Sequence, residues 1–542
     1  MKKLMIMRTR SITLALAGII LCLIIPAKSY AQADEFNLRI IKDHIFAQHL
    51  YRDKLLKDIY RPVYHFVIPE GIACPFDPNG AYYWKGRYHL FYIFQTVEPK
   101  PYYRGDAWAH ISSHDLVHWR FHPTALKPGE DTPERAIYSG NMFLDKNNIP
   151  TIMYQGLGAG QCIAKSTGDD VLDNWERHKA NPVIPYPEVA AKSVDADYRL
   201  FLNELPDYGS IDVWDPHCWL EDDTYYAISG DNGTWPGESG LYRSQNLEDW
   251  ETVGPFFHHD EVEGTLDCPD FFKLGDKYVL LFLRNGLEYV IGDWKNEQFY
   301  PEKKGTMTWN LGVGYAPESL VDDQGRRIMW AALNDSRTQW GNLDEFLPRH
   351  GWMGTLSLPR VLSLDDKNNL LMEPIDELKS LRHSHIQLEE FALNDETRLI
   401  EGVEGNTMEL EIIIEPQTAE EIGIKVLASN DGSEETTIRF MPEQGRVEVD
   451  LHKTSLDEEL MENFYDDEKV QKADLDLEEG EDLVLRIFMD RSVLEVFINK
   501  RLCLTQRVYP TRDDNIVYIY SKNGPIRVKG FDAWKMHPSN PF

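Results

Sequence analysis

Five polar residues recur at a similar point of a repeated phrase, and their types are those of acid–base chemistry. Asp77 stands in Phe76-Asp77-Pro78-Asn79-Gly80, Ser139 in Tyr138-Ser139-Gly140-Asn141, Asp215 in Trp214-Asp215-Pro216, Asp267 in Leu266-Asp267-Cys268-Pro269 and Glu318 in Tyr315-Ala316-Pro317-Glu318. One Asp before Pro is ordinarily a turn former, but five polar residues in phase point to one axis. Carboxylates crowded at one mouth repel each other and lose water. Some pKa values then rise, so that one acid keeps its proton while another is ionised. Glycosidic cleavage needs that division, with one carboxylate to attack or direct water and one acid to protonate the leaving oxygen. Trp84, Trp108, Trp214, Trp219, Trp235 and Trp309 supply rings on which a sugar could stack, or which could equally pack a core.

Positioning such a set requires equivalent elements around a centre, and the chain repeats one. A Gly or Asp turn leads into a strand rich in aromatic and branched residues at 85–92, 148–154, 223–228, 276–282 and 325–330. A second phrase, an acidic residue and a Leu shortly before a Trp, recurs at 115–119, 172–175 and 247–250. This periodicity predicts an all-β fold, a five-bladed β-propeller over 61–382 built of four-stranded blades. Alternating strands with charged turns then predict a C-terminal β-sandwich over 383–542. The acidic stretch 457–481 reads as a solvated loop, and the tail's acidic residues as occupants of solvated turns. Before the repeats, 34–60 carries the only clear helical period, with Ile40, Ile41, Ile45, Leu50, Leu55 and Leu56 on one face.

Among 542 residues, 56 Lys and Arg face 89 Asp and Glu, a formal charge of −33 that repels phosphate backbones and anionic head groups. Nucleic acid is excluded as a partner, and the site chemistry points to a carbohydrate. Residues 1–33 read as a signal peptide, with Lys2, Lys3, Arg8 and Arg10 ahead of the apolar run Ile12 to Ile25 and small residues at Ala31 and Ala33. Its removal takes five basic residues and no acidic one, so the exported chain carries −38. No later stretch suits a membrane span. Cys74, Cys162, Cys218, Cys268 and Cys503 form no CxxC pair and read as buried thiols; no metal or cofactor is expected. Gly156-Leu157-Gly158-Ala159-Gly160 lacks the lysine of a phosphate loop and reads as a hairpin turn. Nothing in the sequence fixes the oligomeric state.

The motifs together resemble family 32 of the glycoside hydrolases, the invertases, inulinases and levanases. The likeness rests on Asp77-Pro78-Asn79-Gly80, Asp115-Leu116-Val117-His118-Trp119, Tyr138-Ser139-Gly140, Asp215-Pro216, Cys268-Pro269-Asp270, Tyr315-Ala316-Pro317, Leu358-Pro359-Arg360 and, in the tail, Asp490-Arg491-Ser492 with Glu495-Val496-Phe497. The resemblance implies retaining hydrolysis of furanosides. Asp77 would be the nucleophile, Asp215 the stabiliser of the positive transition state and Asp267 the acid/base. Asn79, Trp108, Ser139, Asn141, Trp214 and Glu318 would line the sugar site. Four positions depart from the family pattern: Phe76 replaces Asn, Trp214 replaces Arg, Asp267 replaces Glu and Glu318 replaces Gln. Replacing a guanidinium by an indole changes which hydroxyls the site can hold. The shorter Asp267 leaves two candidates for proton donor, Asp267 and Glu318. A β-fructofuranoside such as levan, inulin or sucrose is the first expectation, a different furanoside such as an arabinofuranoside the second, and a non-catalytic carbohydrate binder the third.

Overall fold

The computed structural model describes residues 42, 45–67, 77–95, 106–129, 131–185, 213–230, 240–256, 266–284, 286–308, 314–337, 350–462 and 469–540. The expected leader, Cys74, Phe76, Trp235 and Trp309 lie outside them. A helix occupies 45–57, as its period predicts, in a unit that ends at Lys57. Among the described residues no helix is long and apolar enough to cross a membrane.

Each repeated phrase becomes the second strand of an antiparallel sheet with four strands in its main path, to which Ile184–Pro185 and Thr355–Leu356 add a short fifth strand in the second and fifth sheets. Blade one pairs Pro78–Trp84, Arg87–Gln95, Asp106–Ser113 and Trp119–Phe121 in chain order, and blade two Ile137–Leu144, Pro150–Gly156, Gly160–Ser166 and Trp175–Arg177. Blade three runs Trp214–Glu221, Thr224–Gly230, Gly240–Ser244 and Trp250–Pro255; blade four runs Asp267–Leu274, Lys277–Leu283, Leu287–Lys295 and Gln298–Thr306. Blade five uses Gly314–Val321, Arg327–Leu333, Arg360–Leu364 and Leu370–Pro374. The first strands touch in ring order and the fifth touches the first, which closes a propeller. The aromatic second strands fill the seams between blades: Phe91, Trp108, Met142, Ile152 and Tyr154 form one apolar cluster, and Phe256, Phe271, Phe282 and Phe299 belong to another.

The Leu-before-Trp phrase turns the third strand into the fourth. Leu116, Leu172 and Leu247 take left-handed φ values of 63°, 60° and 68° while nearly fully buried. That conformation is costly for a branched side chain. It is held by polar side chains that accept from the turn: Asp115 from the N–H groups of Val117 and His118, Asp169 from those of Val171 and Asp173, and Asn246 from those of Glu248 and Asp249. The stretch 156–160 is a hairpin turn in blade two.

The tail forms two packed sheets. One carries Arg382–Leu388, Pro525–Met536, Thr407–Glu415, Leu483–Asp490, Val493–Ile498 and Leu502–Arg507 in that order; the other carries Thr397–Glu404, Ile516–Lys522, Glu421–Ala428, Glu435–Met441, Arg446–Lys453 and Val470–Asp474. Aliphatic residues of both line the core between them. The expectation that the tail's acids sit in solvated turns is corrected at the boundary with the propeller. Asp490 is fully buried and accepts from the N–H groups of Val63, Tyr64 and His65 at 2.8, 2.8 and 2.7 Å. Glu495, also fully buried, faces Arg360 at 3.4 Å and the Leu358 N–H at 3.2 Å. Asp335 at the end of blade five holds Arg337 at 2.8 Å, Arg507 at 3.5 Å and the Tyr509 hydroxyl at 2.7 Å.

Candidate active site

Every inner strand slips register near its start, between Asn79 and Tyr82, Ile137 and Gly140, Trp214 and Pro216, Asp267 and Asp270, and Tyr315 and Pro317. A bulge bends the strand and re-aims its leading side chains. Gly80, Cys268 and Ala316 carry the left-handed residue of three of these bulges, at φ 54°, 49° and 50°. A Cβ at Gly80 would also press on the rings of Phe91 and Trp108, at 3.0 and 3.2 Å, so glycine is required there.

The bulges bring three of the predicted carboxylates to one place. The Ser139 hydroxyl donates to Asp77 Oδ2 at 2.6 Å. Cys268 lies between the blades: its N–H donates to Asp215 Oδ2 at 3.1 Å, and its Sγ is 3.4 Å from that oxygen, 3.6 Å from Asp77 Oδ2 and 3.5 Å from Ser139 Oγ. Asp267, the residue before Cys268, is half-buried at the head of its strand, and its charge helps keep the Cys268 thiol protonated. Asp77 and Asp215 are buried and, among the described residues, meet no cation there. Burial, with the Asp215 charge adding to it against the Ser139 and Cys268 hydrogen bonds, pushes Asp77 up to about 7. Burial likewise pushes Asp215 up to about 6 against the hydrogen bonds from Cys268. Cys268 was expected to be an inert buried thiol, as Cys162, Cys218 and Cys503 are; it is instead half-buried at the centre of the site. Its place beside Asp267 in the Asp-Cys-Pro-Asp run was the available signal.

Other predicted residues build the ring rather than its mouth. Asn79 donates to the Asp77 carbonyl at 2.7 Å and accepts from the Gly140 N–H at 3.0 Å, so blade one is clasped to blade two while the Asp77 turn is fixed. Both ends of the Asn141 amide bond the Cys218 backbone at 2.8 Å, clasping blade two to blade three. His217 Nδ1 lies 3.7 Å from Asp270 Oδ1, and Ser319 donates to the other Asp270 oxygen, which carries the series to blade five. Glu318 accepts from the Ala81 N–H at 2.9 Å and closes it onto blade one. Trp108 is fully buried and spends its N–H on the Tyr138 carbonyl at 2.9 Å, so it is a core residue and not a sugar platform. Trp214 stays half-buried, edge-on to Tyr138 at 6.2 Å.

Glu318 departs from the assumed phase because hairpin lengths differ. Blade five's first hairpin loop spans 322–326, against 85–86 and 275–276 in blades one and four, so counting back from the second strand stops short of the inner strand's head. Glu318 consequently sits deep in its strand beside Asp270 and Arg327. Burial and the Asp270 charge drive it well above the usual carboxylate range. Arg327 spans this group, with its guanidinium 4.1 Å over the Phe272 ring and one N–H donated to Ser319 at 3.2 Å. His217 and Arg327 carry no sequence signal, and the Cys268-Pro269-Asp270 motif does not tell what Asp270 meets, because each of the three takes its partners from another strand.

A closed propeller with buried carboxylates converging at the heads of its inner strands, followed by a sandwich, is the build of a carbohydrate-cleaving enzyme. The chain belongs to glycosyl hydrolase family 32: residues 65–374 match the family's N-terminal domain and residues 377–535 its C-terminal domain. It is a glycoside hydrolase acting on O-glycosyl bonds. Similar proteins include the sucrose-6-phosphate hydrolase of Escherichia coli, 26% identical over 515 residues that cover 88% of this chain and 95% of that protein. The fructan 6-exohydrolase of Beta vulgaris is 27% identical over 88% of this chain and 87% of its own. The levanbiose-producing levanase of Bacillus subtilis is 25% identical over 88% and 92%. Among solved structures, fructan 1-exohydrolase IIa from Cichorium intybus superposes with a TM-score of 0.74 at 23% identity, covering 89% of this chain and 98% of that one, and so shares the fold.

Proposed function

We propose that this enzyme is an exported β-fructofuranosidase that releases fructose units from fructans or sucrose with retention. The observation that carries the mechanism is the meeting of Asp77 and Asp215 at Cys268, with Asp267 next in the chain. Asp77 attacks the anomeric carbon as a carboxylate, and the bond to the leaving oxygen breaks as Asp267 gives that oxygen a proton. Water, deprotonated by Asp267, then displaces Asp77. Ser139 steadies the Asp77 anion, and the Asp215 charge stabilises the positive sugar between the two steps. Glu318 has its Oε1 on the Ala81 N–H and lies below this group, which favours Asp267 as the donor. The sugar assignment is supported by relatives named for sucrose phosphate, fructan and levan, all of which carry fructofuranosyl units. Export is supported by the basic and apolar leader of residues 1–33.

The half-buried Trp214 against Tyr138, at the position where the family pattern has Arg, favours a second reading in which the furanose is not fructose. Release from sucrose, inulin, levan and a series of aryl furanosides separates the two. Fructose release from a fructan supports the first reading, and turnover confined to another furanoside overturns it. Asp267→Ala is expected to cripple natural substrates while sparing the phenol-releasing first step on aryl glycosides with acidic phenols, read as kcat/KM and a phenol burst, whereas Glu318→Ala loses on both alike. The reverse pattern would move the donor to Glu318.

A further inference from the structure

The propeller holds a second cluster of chemistry-bearing side chains outside the carboxylate site. His110 on the third strand of blade one, His122 just after its fourth strand, and Asp173 in the blade-two turn each offer one ligand atom, all within 4.8 Å of one another. His122 Nδ1 lies 2.6 Å from Asp173 Oδ1, and His110 Nδ1 lies 4.0 Å from the same oxygen. His110 Nδ1 is fully buried and makes no hydrogen bond, an expensive state for a ring nitrogen.

The far ring nitrogens are tethered as those of metal-bound imidazoles are. His110 Nε2 meets His89 Nδ1 at 2.9 Å, and His122 Nε2 meets the Ser112 hydroxyl at 2.7 Å. With protons on those outer nitrogens, both Nδ1 lone pairs face Asp173. The rings are held in place by stacking, His110 on Phe91 at 4.3 Å and on His122 at 4.2 Å. The Asp173 side chain remains a quarter exposed and gives a way in from solvent. Two imidazoles and one carboxylate form a nitrogen–oxygen donor set suited to a borderline ion, with a coordination position left for water.

We propose that His110, His122 and Asp173 bind one divalent transition-metal ion of the zinc type, which ties the outer edge of blade one to blade two. Ligand bonds of about 2.0–2.2 Å place tetrahedral donors about 3.5 Å apart, so His110 Nδ1 moves in from 4.0 Å and His122 Nδ1 moves out from 2.6 Å relative to Asp173 Oδ1 as the ion enters. The site was invisible in the sequence because its ligands form no spaced motif and come from two blades.

The test uses full-length, tag-free protein stripped with a chelator. Titration with cobalt(II) should give one equivalent of a tetrahedral-type visible spectrum that zinc displaces, and zinc should raise the melting temperature where magnesium does not. Asp173→Asn and His122→Gln, shown folded by circular dichroism, should lose the spectrum and at least tenfold in zinc affinity. Unchanged binding in both variants would overturn the site. Should either variant misfold, zinc-edge X-ray absorption of the wild type decides: two imidazole nitrogens support the proposal, and an all-oxygen shell or no bound zinc overturns it.

Discussion

Carboxylates are buried in two regions of this molecule and meet opposite fates. At the heads of the inner strands, Asp77 and Asp215 have hydroxyl, thiol and backbone donors but, among the described residues, no cation, and burial lifts them to about 7 and 6. At the boundary with the sandwich, burial alone would raise Asp335 as well. The Arg337 and Arg507 charges and the hydrogen bonds from Arg337 and Tyr509 outweigh it, and Asp335 falls well below the usual range. Asp58 is lowered similarly, burial being outweighed by His350, Arg337 and Trp352. Full neutralisation makes a carboxylate a rivet. Hydrogen bonding without neutralisation leaves it near the point of titration at neutral pH, where it can exchange charge with a substrate.

The largest effect should come from Asp77→Asn, which keeps the shape and the Ser139 contact but removes the attacking charge. Turnover is expected to fall by about 10³-fold or more with an unchanged circular dichroism spectrum. Activity within about tenfold of wild type would remove Asp77 from the nucleophile's role. Asp335→Asn should act in the opposite way. It leaves the buried Arg507 without its carboxylate partner and Arg337 with Asp58 alone, so a loss of about 3–5 kcal/mol in denaturant unfolding is expected, with near-normal turnover in the molecules that remain folded.

The two regions also differ in their response to pH. The folded pKa of Asp77 lies above its unfolded value of 3.8, so its charge destabilises the fold fully above about 7 and not at all below 3.8. Asp77→Asn should therefore raise the melting temperature at pH 8, and the gain should shrink toward pH 4. For Asp335, whose pKa is lowered, the stabilisation is present above 3.8 and is lost only in stronger acid. A gain from Asp77→Asn that does not depend on pH would contradict the assignment of the raised value to that group. The smallest effect is expected from Glu318→Gln, which keeps an acceptor for the Ala81 N–H; kcat should change by less than about tenfold, and Glu318→Ala should cost more.

The blades were legible because the second strand of each is a periodic aromatic run whose burial the sequence pattern reports directly. Asp77, Asp215 and Asp267 were legible because bulge-forming Pro, Gly and Cys residues surround them. Glu318 was misplaced because phase was counted across hairpins of unequal length. Asn79, Asn141 and Trp108 were read as sugar contacts, since a polar or aromatic residue beside a catalytic motif looks the same whether it faces substrate or clasps a neighbouring strand. The partners of the boundary rivets are what the sequence hides: Asp490 meets Val63 to His65, and Arg507 meets Asp335, across separations that no local pattern records.

Covalent attack by Asp77 is tested most directly by trapping the intermediate. Asp267→Ala given an aryl β-fructofuranoside with an acidic phenol can still form the glycosyl-enzyme, but lacks the base that hydrolyses it. Peptide mass spectrometry after a rapid acid quench should then find one hexosyl group on the peptide containing Asp77. A burst of phenol with no sugar on that peptide, or with sugar on another carboxylate, would contradict it.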